Sequence, residues 1–77
     1  MSNDLLPPLP SAELGVYEHF KGGAYEMVGV VRHSETLEPL ILYRHFGEAD
    51  LWVRLYAMFF EEVEVDNRRL PRFRKIG

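Results

Sequence analysis

Cysteine is absent from this 77-residue chain. That excludes a disulfide framework, thiolate metal sites and thiol catalysis, and it fits a reducing compartment. Long apolar runs are absent too, and no stretch approaches the ~20 apolar residues of a membrane span. The start, with Ser2, Asn3 and Asp4 followed by prolines, lacks the positive charge and apolar run of a signal peptide. The expectation is a cytoplasmic protein with no membrane partner. Basic excess is missing as well: 9 Lys and Arg stand against 12 Asp and Glu, a net charge of −3, whereas a dedicated nucleic-acid domain usually carries a basic balance. Histidine is scarce. His19, His33 and His45 lie in separate segments with no His-x-His pair, so neither a metal site nor a cofactor is expected. Lys21-Gly22-Gly23 lacks the length and following helix of a phosphate-cradling loop. His33-Ser34-Glu35-Thr36 holds a base, a hydroxyl and a carboxylate, but neighbours on one loop do not easily take opposite sides of one imidazole, as a triad needs. These hydroxyls are better read as bonding backbone in a tight turn. No catalytic residue is assigned, and the reading leans away from an enzyme.

Aromatic side chains, in contrast, are plentiful: one Trp, four Tyr and five Phe, each able to bury on the order of 150–250 Å². Charge is unevenly spread. Residues 1–66 carry 4 basic and 12 acidic side chains, whereas residues 67–77 carry 5 basic (Arg68, Arg69, Arg72, Arg74, Lys75) and no acidic ones. Such a basic end either folds back on the acidic body or reaches an anionic partner.

Residues 1–14, with Pro7, Pro8 and Pro10 among Leu5, Leu6 and Leu9, read as an extended lead-in, because proline fixes φ and removes backbone donors. Residues 15–77 read as a single small β domain. Strand-prone runs fall at 16–20, 24–32, 40–46, 51–55, 62–65 and 72–76. Turn signals separate them at Lys21-Gly22-Gly23, 33–39, 47–50 and Asp66-Asn67, and one helical or 3₁₀ turn is predicted over 56–62. Gly29 inside the second run predicts a bulge or sharp bend. The expected architecture is mostly β: a small five-stranded barrel or strongly bent sheet, like a Src-homology-3 domain.

The string Gly15-x-Tyr17-x-His19-Phe20-Lys21-Gly22-x-x-Tyr25 is followed in order by His33-Ser34-Glu35-Thr36, Leu40-Ile41-Leu42-Tyr43-Arg44, Leu51-Trp52-Val53-Arg54, Met58-Phe59 and Pro71-Arg72-Phe73. Together they resemble a bacterial family of small domains catalogued as a domain of unknown function, across about Gly15 to Ile76. The chain departs from that family at Leu55, where the family usually has proline directly after its Trp-x-Arg motif. The resemblance implies a small bacterial domain and supplies no catalytic residues.

The candidate binding surface is His19, Lys21, Tyr43, Trp52, Arg54, Arg72 and Arg74. Alternation puts Trp52 and Arg54 on one strand face and Leu51, Val53 and Leu55 on the other, so the leucines and valine are expected in the core, with Trp52 on the freer face beside a cation. A surface of aromatics and arginines suits a protein or peptide partner, which is the first functional reading. RNA or single-strand binding is the second. A small-ligand or enzymatic accessory role is the third. Either a monomer or a homodimer is compatible with the sequence.

Overall fold

The computed structural model describes residues 6–77; the first part of the expected lead-in, 1–5, lies outside the described residues. Seven strands and one helical turn follow in chain order: β1 (Gly15–His19), β2 (Ala24–Arg32), β3 (Pro39–His45), β4 (Trp52–Leu55), α1 (Tyr56–Phe59), β5 (Glu62–Val65), β6 (Arg68–Pro71) and β7 (Phe73–Lys75). Five of them form an antiparallel sheet in the order β4-β3-β2-β1-β7, and β5 pairs with β6 alone. The sheet is open. β4 and β7 end as opposite edges, so the expected barrel does not close.

The turns form where backbone chemistry allows them. Gly22 and Gly23, both at φ 97°, reverse the chain between β1 and β2, and the Gly22 amide donates to the His19 carbonyl at 2.8 Å. Asp66 and Asn67 both occupy the left-handed region, at φ 52° and 64°, as the primed two-residue hairpin turns require. That turn makes Arg68–Pro71 a return strand, an element outside the strand-prone runs of the sequence. The bulge expected at Gly29 is present: the register of β2 on β3 shifts between Met27 and Gly29. With one extra residue, Met27 and Val30 lie on the same sheet face, and both contribute to the core.

That core lies on one face of the sheet. Tyr17, Met27, Ile41, Tyr43 and Phe73 point from four strands toward Phe59 of α1. Phe59 is fully buried and stacks on Phe73 with ring centroids 4.0 Å apart and planes 1° from parallel. Tyr17 meets the edge of Phe59 at 5.4 Å. Each such ring, fully buried, contributes about 1.5–3 kcal/mol relative to exposure. The opposite face is only partly covered: Leu40 is buried there, whereas Glu26 pairs with Arg44 at 2.7 Å and Val53 remains 54% exposed.

From residue 6 to residue 14 the lead-in forms no helix or strand, and it is tied down through its backbone carbonyls. Arg32 donates to the Pro7 carbonyl (2.6 Å), Tyr56 to that of Ser11 (2.8 Å) and Tyr17 to that of Glu13 (2.7 Å). The chain end docks beside β1, where the Val16 amide donates to the Gly77 carbonyl at 3.1 Å. A Cβ at Gly15 would run into that same carbonyl oxygen, so the close approach of the two ends requires glycine there.

A domain of this length has a total stability on the order of 4–12 kcal/mol, so removing the central ring is decisive. Phe59→Ala is expected to cost about 3–5 kcal/mol, roughly a quarter or more of the total, checked as a large fall of the urea midpoint. Leu37 is the opposite case, held at φ 67° without a glycine. Leu37→Gly is expected to raise the urea midpoint by relieving about 1 kcal/mol of left-handed strain, and an unchanged or lower midpoint would refute that.

Candidate functional site

Strand register decides which side chains meet. Tyr17 of β1 lies opposite Tyr25 of β2, which lies opposite His45 of β3, while Tyr43 lies opposite Trp52 of β4. All of these share the face that carries the core. α1 covers the middle of that face and leaves one end open, where a row of rings crosses four strands. Trp52 meets His45 at 6.2 Å, His45 meets Tyr25 at 4.6 Å, Tyr25 meets His19 at 6.1 Å and His19 meets Phe20 at 4.6 Å, all between centroids. Phe73 supports the row from below, 4.9 Å from His19 and 5.3 Å from Tyr25.

Cations gather at the β1 end of this row. Lys21 lies over the Phe20 ring at 5.6 Å, Arg72 over the same ring at 6.0 Å, and Arg54 over Phe73 at 5.5 Å. His19 accepts the Lys21 amide on Nδ1 at 3.1 Å, which leaves Nε2 to carry the proton of the neutral ring. Its proton affinity is lowered, first by burial and then by the charges of Arg54, Arg72 and Lys21. Tyr17, beneath the site, is raised by burial and then by Glu13 and Tyr56.

The expected surface residues fall into three groups. His19, Lys21, Arg54 and Arg72 come together around Phe20 and Phe73. Trp52, 51% exposed, joins them through His45 and Tyr25. Tyr43 and Arg74 do not join. Tyr43 is 7% exposed and part of the core. Arg74 lies opposite Glu18 in the register, on the other face, and bonds its carboxylate at 2.9 Å.

The expected division of β4 is reversed. The face carrying Trp52 and Arg54 is the core face, and Val53 on the other face is exposed, because α1 folds back over the Arg54 side and the back of the sheet is left open at Val53. Arg54 stacks on Phe73 rather than on Trp52. His45 and Phe20 were missing from the expected surface: alternation sets Phe20 opposite His19 and Lys21, and only the pairing of β2 with β3 sets His45 against Tyr25. The basic end folds back on the body. Arg69 pairs with Glu62, Arg72 with Glu61 and Arg74 with Glu18.

The His33 loop is a turn. The His33 Nδ1 accepts the amides of Glu35 (3.0 Å) and Thr36 (3.2 Å), and the Thr36 hydroxyl accepts that of Glu38 at 3.3 Å. Among the described residues, no group of three or more His, Cys, Asp or Glu side chains is placed to hold a metal ion, and no helix is long and apolar enough to cross a membrane.

The family described as "Protein of unknown function (DUF1653)" matches residues 15–75. A crystal structure of a DUF1653 protein from Bordetella bronchiseptica is similar, with a TM-score of 0.76 and 33% identity over 87% of this chain and 90% of that one. Among curated proteins none matches.

The crowding of cations on His19 has a measurable consequence. Its NMR titration midpoint is expected below the ordinary 6.5, and Arg54→Gln is expected to move it upward. Because the folded value lies below the unfolded one, the unfolded chain takes up the proton first. His19's contribution to stability is therefore full above about pH 6.5 and declines as pH falls from there through the folded midpoint. A His19→Gln variant that loses as much stability as the parent over that interval would refute the assignment.

Proposed function

The chain belongs to the DUF1653 family of proteins of unknown function, and we propose that it is a binding module that takes a segment of a partner protein on the open end of its core face. The observation that carries this reading is the row Trp52–His45–Tyr25–His19–Phe20, which ends at half-exposed Trp52. Rigid rings present large contact area at low entropic cost, and aromatics and arginine dominate the energetics of protein interfaces. Aromatic grooves on small β domains read proline-rich and extended peptides in the same manner, as Src-homology-3 domains do. β4 adds a second feature, a sheet edge with no neighbour among the described strands, to which an extended segment can pair by backbone hydrogen bonds.

The ion pairs of the basic end count against the nucleic-acid reading. Arg69, Arg72 and Arg74 are matched by carboxylates of the same chain, and the net charge of −3 repels a polyphosphate backbone. Such exposed pairs add little stability, roughly 0–1 kcal/mol each, but they engage three of the five cations of the basic end.

The test is selection of phage-displayed random dodecapeptides on the immobilised chain, followed by titration of the enriched peptides against the parent and Trp52→Ala. Enrichment of peptides whose affinity drops at least about tenfold, or 1.4 kcal/mol, in Trp52→Ala is the expected result. Peptides that bind both proteins equally, or tight salt-sensitive binding of oligothymidylate in place of any peptide, would overturn the proposal.

A further inference from the structure

Among the described residues, two of the seven arginine side chains have no ion-pair or hydrogen-bond partner: Arg68, exposed at the start of β6, and Arg54, at the site. Arg44, Arg69, Arg72 and Arg74 each face a glutamate, and Arg32 donates to the carbonyls of Pro7 and Leu37. Arg54 has no carboxylate partner among the described residues, and its Nε is shut off from solvent with no hydrogen-bond acceptor. Arg54 as a whole is only partly buried, and its guanidinium lies over the Phe73 ring. A shielded polar group without a partner costs free energy, and a guanidinium presents a fork that matches the two oxygens of a carboxylate. Arg54 also stands in a field of its own sign, with Lys21 and Arg72 bearing on the same histidine.

Resting on the binding-module reading, we infer that Arg54 seats a carboxylate of the partner segment, with an adjoining aromatic or apolar side chain packed on the ring row beside it. Charge chooses a carboxylate over a phosphodiester chain. Arg54, the guanidinium at the site without a carboxylate, matches one carboxylate in a chain of net charge −3, while successive phosphates would need a continuous track of free cations, and Arg69, Arg72 and Arg74 are already paired with glutamates. Arg72, whose Nε is also shielded and unpaired, already holds Glu61 at 2.5 Å, so it flanks the site and does not complete it.

The experiment follows the Arg54 Nε–Hε signal and the backbone amides of His19, Tyr25 and Trp52 by NMR on the full ¹⁵N-labelled chain. Two small probes are titrated at matched ionic strength, N-acetylphenylalanine and its neutral amide, with a short oligothymidylate as a third. The acid is expected to shift Arg54 and His19 saturably and to bind at least about tenfold more tightly than the amide. In Arg54→Gln, whose amide dispersion reports that it is folded, that difference is expected to vanish. Equal binding of acid and amide overturns the carboxylate site while leaving the ring surface as a binding surface. Failure of both probes to shift Arg54, or equal shifts at Arg68 and Lys75 in the tail, overturns it as well. Oligothymidylate binding at Arg54 in preference to the acid replaces the carboxylate with phosphate.

Discussion

The parallel stack of Phe59 on Phe73 is the contact on which the rest of this small domain depends. Phe59 comes from a helical turn of four residues, too short to be stable alone, and Phe73 from a final strand of three. Each element is fixed by burying its ring against the other, above Tyr17 and Tyr43. The clamp joins late residues of the chain to β1 and holds α1 over the middle of the sheet. It therefore also determines where cover ends. Past Phe73 the same face continues as Tyr25, His19, His45 and Trp52, with no element above Trp52.

Charge is arranged around that boundary. The acidic body and basic end answer one another through Arg69–Glu62, Arg72–Glu61 and Arg74–Glu18, so the asymmetry seen along the chain is largely neutralised in space. Arg54, from the acidic part of the chain, is left over at the edge of the ring row. Its position follows from β4 alternation: once Trp52 faces the core side, Arg54 must as well. A single strand thus delivers an exposed ring and an unmatched cation to one surface.

Local chemistry was well written in the sequence, and layer assignment was not. Gly22-Gly23, the Gly29 bulge and the Asp66-Asn67 turn are backbone requirements confined to a few residues, and all are where composition puts them. β6 escaped because Arg68-Arg69 carries no apolar alternation, and because the turn signal fixes a return strand only once its left-handed geometry is known. The face of β4 was inverted for a different reason. Leu51, Val53 and Leu55 are the more apolar set, yet cover is decided by where α1 folds, which is a long-range outcome. Val53 on the back face, beside solvent, departs from the usual pairing of apolar residues with burial, although Leu40 on that face is buried. The His19, Lys21, Arg54 and Arg72 cluster was legible as residue types; its assembly required β1, β4 and the β6–β7 bend to meet, which no spacing encodes. Closure into a barrel failed because β5 and β6 pair with each other and not with the sheet edges.

The stability of Trp52→Ala decides whether the ring row is a free surface or an extension of the core. Urea unfolding is expected to show a loss below about 1 kcal/mol, since a half-exposed edge ring supports little packing, with the cooperative transition intact. A loss of 3 kcal/mol or more, of the order expected for a buried ring, would contradict a free surface and assign Trp52 to the core.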